Sequence, residues 1–363
     1  MKNTQNILQI LKKLVSFKGV SSNTKAINNV ANYAAEYLSS DKVTIDTFLS
    51  NGFPNLVIRP KKAVANKPII MLNAHLDVVP ADDQLFTFKI EGDKALGRGV
   101  YDMQGAAAAI IYLFKALAEE EKIGNNILLT LVTDEEIGGH NGVKFLANEK
   151  NVTCDFFIAG EPTNLDICTK QKGILWLEVI KHGKAAHGSR VWNGNNANIA
   201  LAQNITDFYS KHPIPTREAY VTTYNMSLIQ GGTGKNIVSE TASAFFDIRR
   251  IPEDAPESII KEFESTFPEA TIAVRLNEPP LETNESHIYI QNLKDLIEKH
   301  APYGGNIIHE HFSSDGRFYS EKGISAINFG LNGGGIHQRD EWIDISSIEP
   351  YYKILKSFLL QLN

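Results

Sequence analysis

The order of elements predicts an α/β protein with a second unit inserted into it. Three observations carry this expectation. Apolar strands alternate with helices as far as about residue 172. From Gly173 the order changes to βαββαβ. After Pro279-Pro280 the first pattern resumes. Residues 1–172 and 282–363 then form one layered domain, and 173–281 a separate one.

Residues 1–40 read as two helices broken at Gly19-Val20-Ser21-Ser22. In the first, Ile7, Ile10, Leu11, Leu14 and Val15 fall at helical spacing while polar residues run through its middle. That is an amphipathic core helix rather than a signal peptide. Strands follow at about 43–48, 55–60 and 68–78, then a loop with Pro80, Asp82 and Asp83. The run MQGAAAAIIYLFKALAEEEK from Met103 is rich in alanine with a heavily apolar face, a strong helix. A strand at 127–133, a helix at 140–149 and a strand at 156–159 complete this stretch.

GILWLEVIKHG opens the inserted unit as an alternating strand, and NNANIALAQNITDFYSK is a helix. YVTTYNMSLIQGG and SETASAFFDIRRI are strands separated by Gly231-Gly232-Thr233-Gly234. PESIIKEFESTF is a helix and ATIAVRLNE a strand. The order is that of a ferredoxin-like unit. Helix 286–300, strand 324–329 and a last helix near 346–361 return to the first domain.

The bulk numbers exclude several classes. At 363 residues the chain can hold two domains with a large core. Its net charge of −6 comes from interspersed acids and bases, without a basic stripe interleaved with aromatics, so nucleic acid is not an expected partner. No apolar run approaches the roughly 20 residues that span a bilayer, so no membrane partner is expected. Cys154 and Cys168 make no disulfide framework and no metal-thiolate spacing, which favours a reducing cytoplasm.

Five residues have the character of ligands to a two-metal site: His75, Asp102, Glu136, Glu161 and His337. The first four lie where a strand runs out, in IIMLNAHLD, GRGVYDMQG, ILLTLVTDEE and FFIAGEP. The carboxyl edge of an open α/β sheet is where such folds build sites. Two imidazoles and three carboxylates suit a pair of borderline ions such as zinc. Glu135 is then a spare carboxylate, as a hydrolase needs for a general base. Asp77, two residues past His75, can accept that ring's second N–H. Each feature has a bland explanation when taken alone. Asp102 could cap a helix, Glu135-Glu136 could be a solvated turn, and His337 could sit in a surface loop.

Together the motifs run HLDVVP, GRGVYDMQG, TDEEIGG, GEPT, KAAHGS within the insertion, SSDGRF and GIHQRDEW. This sequence closely resembles the dinuclear zinc amidohydrolase and peptidase family of acetylornithine deacetylase, succinyl-diaminopimelate desuccinylase, aminoacylase and carboxypeptidase G. The resemblance covers essentially the whole chain. It implies a zinc-peptidase-like catalytic domain with an inserted ferredoxin-like dimerisation domain or lid. It also implies two zinc ions, with cobalt or manganese as possible substitutes. Asp102 would bridge them; His75 and Glu161 would complete one site, Glu136 and His337 the other. Glu135 would serve as general base and acid, and Asp77 would orient His75. His187 of KAAHGS matches a histidine that stabilises the oxyanion in the partner subunit's site. Asn236 and Arg249 match positions that contact a substrate carboxylate, and Ser313 a loop position near the substrate. The peptide Asp102–Met103 matches a cis bond of the family.

One departure bears on substrate. Where the desuccinylases carry an arginine just before the insertion, this chain has Gln171, next to Lys172. That removes a guanidinium for a second carboxylate. The expected activity is hydrolysis of an N-acyl amino acid, of the acetylornithine deacetylase type, by a homodimer. A dipeptidase or carboxypeptidase is the nearest alternative and a desuccinylase the third. A non-catalytic metal-binding module would be expected to lack the spare Glu135.

Overall fold

A computed structural model describes residues 2–362, which divide into two compact units. The first comprises the chain up to Thr169, Leu281–Ile308 and the chain from Ser314 onward. The second comprises Lys170–Pro280 and His309–Ser313, so Ser313 belongs with the inserted stretch. Among the described residues no helix is long and apolar enough to cross a membrane.

The first unit is built on a nine-stranded sheet. Its main path runs Val43–Ser50, Phe53–Pro60, Ile127–Val132, Ile70–His75, Phe156–Ala159, Ser325–Asn328, Ile167–Gln171 and Leu281–Glu282. The middle four of these strands are parallel to one another. Every residue of the three strands Ile70–His75, Ile127–Val132 and Phe156–Ala159 is buried. Successive side chains go to opposite faces. Leu72, Ala74, Leu129, Leu131, Phe156 and Ile158 join one core cluster. Met71, Leu128, Val132, Phe157 and Ala159 join another. Parallel strands covered on both faces read as continuous apolar runs, as these do. Helices Lys2–Ser16, Gly105–Glu119 and Ile348–Gln361 contribute to the first cluster, and the short helix Val143–Asn148 to the second. The Ala-rich helix begins two residues later than its sequence suggests. Before it lies a tight turn, Val100–Gln104, that carries Asp102.

Parallel register sets the site. His75 pairs with Val132, and Asn73 with Ala159. The three strands therefore end together on one edge. The residues just beyond them, Glu135, Glu136 and Glu161, are delivered beside His75.

The second unit has a four-stranded antiparallel sheet in the order Thr223–Gly231, Thr241–Arg250, Gly173–His182, Ala270–Glu278. With the helices Ala197–Lys211 and Pro256–Thr266 this is the ferredoxin-like arrangement. One sheet face packs on those helices through Leu175, Leu177, Val179, Leu201, Phe208, Phe246, Ile248 and Phe263. Strict alternation along Gly173–His182 leaves the opposite face with Trp176 and Glu178.

Candidate metal centre and active site

His75 is fully buried, and its Nε2 lies 3.1 Å from Asp102 Oδ1. The second oxygen of Asp102 lies 3.2 Å from His337 Nε2. One carboxylate thus stands between two imidazoles with an oxygen toward each. Around His75, Glu161 Oε2 lies at 3.9 Å and Glu135 Oε2 at 4.0 Å from Nε2. Around His337, Glu136 Oε2 lies at 3.2 Å. Ligand atoms of His75, Asp102 and Glu136, and separately of His75, Glu135 and Glu161, fall within 4.8 Å of one another. The peptide Asp102–Met103 is cis.

The turn bearing Asp102 is tied down on several sides. Gln104 Nε2 donates to the Leu76 carbonyl at 2.8 Å. Gly99 has φ +83°, and a Cβ there would meet Val78 Cγ1 at 2.4 Å, so a glycine is required on both counts.

Asp77 works differently from the sequence expectation. His75 Nδ1 lies 3.0 Å from the main-chain oxygen of Asp77 and 3.6 Å from its carboxylate. The carbonyl, within hydrogen-bond range, orients the ring. The buried carboxylate instead accepts from Ser21 Oγ at 2.7 Å and from the main-chain N–H groups of Glu135 and Glu136 at 3.3 and 3.2 Å. It therefore fixes the turn that presents both glutamates.

The electrostatics describe a cluster short of positive charge. Burial would lower the His75 imidazole, but Asp102, Glu161 and Glu135 outweigh it and raise it well above its ordinary value. Hydrogen bonds to Asp102 and Glu136 push His337 up to about 10. Burial, then Glu161, pushes Glu135 well above the usual carboxylate range, and burial does the same to Glu161. Burial opposes ionisation of Asp102 too, yet His337 and His75 hold it below that range. Without cations, protons compensate the charge. Buried Glu136 Oε1 and Glu161 Oε1 have no hydrogen-bond partner. Orphaned acceptors beside two imidazoles that share a carboxylate fit divalent cations, and the N and O donor set suits zinc, cobalt or manganese.

The other sequence candidates lie in the second unit. His187, on the short strand Ala186–His187, pairs with Ile237, and Gly188 N–H donates to the Asn236 carbonyl at 2.6 Å. His187 Nδ1 accepts from Ser189 N–H at 3.2 Å. Arg249 sits near the end of Thr241–Arg250, where Nε and Nη2 bind Asp247 at 2.9 and 3.3 Å. Ser313 Oγ donates to the Lys172 carbonyl at 2.6 Å.

Sequence reasoning missed three residues near the cluster. Ser21, read only as part of a helix break, binds Asp77. Asp315 of SSDGRF is fully buried and pushed up to about 7 by burial, and it helps to raise Glu135 and Glu161. Glu341, within the run GIHQRDEW, is buried at 3% exposure. Nothing in the sequence distinguishes such a glutamate from a solvated one.

The fold and the cluster together define a layered α/β protein with two adjoining groups of candidate cation ligands at the carboxyl edge of its sheet. The chain belongs to Peptidase family M20/M25/M40, whose model matches residues 71–361. It is 34% identical over 214 residues to a probable carboxypeptidase of Paracoccidioides lutzii, a match covering 53% of this chain and 48% of that one. It is 29% identical over 253 residues to a peptidase M20 domain-containing protein of Schizosaccharomyces pombe, covering 69% of this chain and 61% of that one. The chain thus spans about half the length of the probable carboxypeptidase it matches. The fold is shared with aminopeptidase PepT of Bacillus cereus (TM-score 0.80, 18% identity, 99% of this chain and 98% of that one). It is also shared with a dinuclear metal-binding M20 peptidase of Bacillus subtilis (TM-score 0.75, 12% identity, 99% and 98%).

Proposed function

We propose that this protein is a metal-dependent hydrolase that cleaves the amide bond of a small substrate carrying a free carboxylate. The observation that carries the reading is Asp102, with one oxygen at 3.1 Å from His75 and the other at 3.2 Å from His337. His75, Asp102 and Glu161 would hold one cation, and Asp102, Glu136 and His337 the other. The pair supplies Lewis-acid chemistry when bound, favouring deprotonation of water and polarisation of a carbonyl. We take zinc as the native metal.

Glu135 has the attributes of the general base. Its backbone is anchored on Asp77, and burial raises its carboxyl above the usual carboxylate range, the direction that makes a carboxylate a better base. The geometry alone would also allow Glu135 as a ligand beside His75. The His337–Asp102–Glu136 grouping instead supplies a second pocket without it, leaving it as the extra carboxylate. It takes a proton from the attacking water at its carboxylate and delivers it to the nitrogen of the breaking C–N bond. Water oxygen ends on the acyl carbon, and the amine leaves neutral. Arg249 and Asn236 anchor the substrate carboxylate, and Ser313 lies near the substrate. His187 donates to the oxyanion.

The substrate class is a short peptide cleaved next to its terminal carboxylate, or an N-acyl amino acid. The names of the relatives, carboxypeptidase and peptidase, favour the first. The N-acyl amino acid reading, of the acetylornithine deacetylase type, remains the second, because Arg249 and Asn236 suffice for one α-carboxylate. Dipeptides, tripeptides and N-acetyl and N-succinyl amino acids should be assayed with zinc-reconstituted protein. Turnover of none of them, by protein carrying two metal equivalents, would sink the hydrolase reading.

We further propose a homodimer through the inserted domain, about residues 173–281. Both edge strands of its sheet carry exposed apolar residues, Leu228 and Ile229 on one and Val274 on the other. In this reading His187 completes the neighbouring subunit's site. Mixed Glu135→Ala and His187→Ala chains should then regain activity in heterodimers. A mixture as inactive as its components would refute action in trans.

A further inference from the structure

We infer that the buried ion pair Arg98–Glu341 is a positioning device that sets the distance between Asp102 and His337, and so builds the second cation pocket. Both residues are buried, at 5% and 3% exposure, and Arg98 Nη1 lies 2.6 Å from Glu341 Oε2. A buried ion pair of this kind is weak evidence of stability. Its remaining hydrogen bonds point to another purpose.

The carboxylate of Glu341 accepts three main-chain N–H groups from one loop. Gly99 donates to Oε2 at 2.9 Å, Tyr101 to Oε1 at 2.9 Å, and Asp102 itself to Oε1 at 3.2 Å. The guanidinium holds the other loop, as Nη2 donates to the carbonyls of His337 and Gln338, each at 3.1 Å. His337 has φ +58°, a region that non-glycine residues seldom occupy without support. Both loops also leave a common ladder, in which Leu96 pairs with Trp342. One side chain thus grips the backbone of Asp102 and its partner grips the backbone of His337. Their salt bridge joins the two grips. His75 and Glu161, by contrast, follow directly from buried parallel strands and need no such brace.

The inference rests on the two-cation reading of the site. Zinc is titrated calorimetrically into the metal-free full chain, its Arg98→Lys, Glu341→Gln and double variants, with the melting temperature of each metal-free protein recorded. Cobalt absorption spectra report the geometry of each equivalent. The parent is expected to bind two equivalents. Arg98→Lys keeps the charge but loses the planar fork, and Glu341→Gln keeps the size but loses the charge. Arg98→Lys, which loosens the His337 loop, should weaken the second equivalent at least tenfold more than the first, whereas Glu341→Gln, which loosens the shared ligand Asp102, should weaken both. The double variant should be little worse than the poorer single one, because the pair acts as a unit. Equal weakening of both equivalents by Arg98→Lys, or a lower melting temperature with unchanged affinities, overturns the positioning role. Arg98→Lys alone decides the matter if Glu341→Gln fails to fold. A parent chain that binds a single equivalent overturns the two-cation reading together with the inference, and is recognised because the defect lies in the parent.

Discussion

The two units expose their candidate functional side chains in opposite ways. In the first, the central strands are buried on both faces, and the polar residues in their middles, Asn73 and Thr130, are spent on each other, the amide donating to the hydroxyl at 3.1 Å. The candidate ligands of this sheet lie at a strand end or just past it: His75, Glu135, Glu136 and Glu161. In the second unit only one sheet face is covered by helices. A charged residue can therefore stand half-buried within a strand, as Arg249 does beside Asp247. A two-faced core makes a rigid edge suited to fixing the positions of ligands. A one-faced sheet offers a polar surface suited to holding a substrate group.

If this division holds, variants in the first unit change chemistry and metal content, and variants in the second change substrate binding. The largest effect is expected at Glu135. Glu135→Gln should retain two metal equivalents and lose roughly a hundredfold or more in kcat, since the amide cannot accept the proton. Metal analysis with steady-state kinetics checks this, and near-normal kcat would break the assignment.

Next comes the core itself. Leu129 is fully buried in a central parallel strand, and Leu129→Ala should destabilise the protein by about 2–5 kcal/mol through the lost contacts and the cavity left behind. Ile199, at 58% exposure on the helix Ala197–Lys211 of the second unit, should tolerate Val within about 0.5 kcal/mol. Denaturant melts of both variants compare the units directly. Equal losses would contradict the exposed setting of Ile199.

Arg249→Met is a smaller test with a sharper reading. We expect KM for carboxylate-bearing substrates to rise roughly tenfold or more, from loss of a charged hydrogen bond of about 1.5–3 kcal/mol. Amidated analogues and metal stoichiometry should be little affected. A matching loss on amidated substrates would assign Arg249 to packing around Asp247 instead.

The subtlest test concerns pH. His337 rises from an ordinary 6.5 to about 10 in the metal-free fold, and its stabilising contribution is fully present below 6.5. That contribution is lost as pH climbs through about 10. Glu135 and Glu161 are also raised, so their contribution likewise declines with rising pH. The metal-free protein should therefore melt progressively lower between pH 6.5 and 10. Added zinc should flatten the profile, because cations replace the protons. A metal-free melting temperature that rises over this interval would show that the imidazoles are not held by the carboxylates.

Much of this arrangement was legible in the chain. Continuous apolar runs ending in His75, Val132 and Ala159 identify central strands, since only burial on both faces tolerates such composition. Polar residues immediately after such runs must lie at an edge, which is why His75, Glu135, Glu136 and Glu161 stand out. The alternation in GILWLEVIKHG is equally direct, because a one-faced strand repeats every second residue. The start of the helix at Gly105 was misjudged because the turn Val100–Gln104 is shaped by partners distant in sequence. Two of them, Leu76 and Glu341, bond its side chains and backbone.

The sequence by itself thus determined the α/β class, the βαββαβ insertion and the residue types able to hold cations. Periodicity and composition are local, and they carry that information without any contact being known. Tertiary structure alone decided which atoms meet. Only the parallel register brings the strand ends together, and only folding places His337 across Asp102 from His75. Folding likewise puts the carbonyl of Asp77 3.0 Å from the ring, where the sequence suggested its carboxylate. Glu341 reads in sequence as one charge among several in QRDEW. It becomes the anchor of the Asp102 loop only because folding buries it against three amides and a guanidinium, and a buried carboxylate must find such partners.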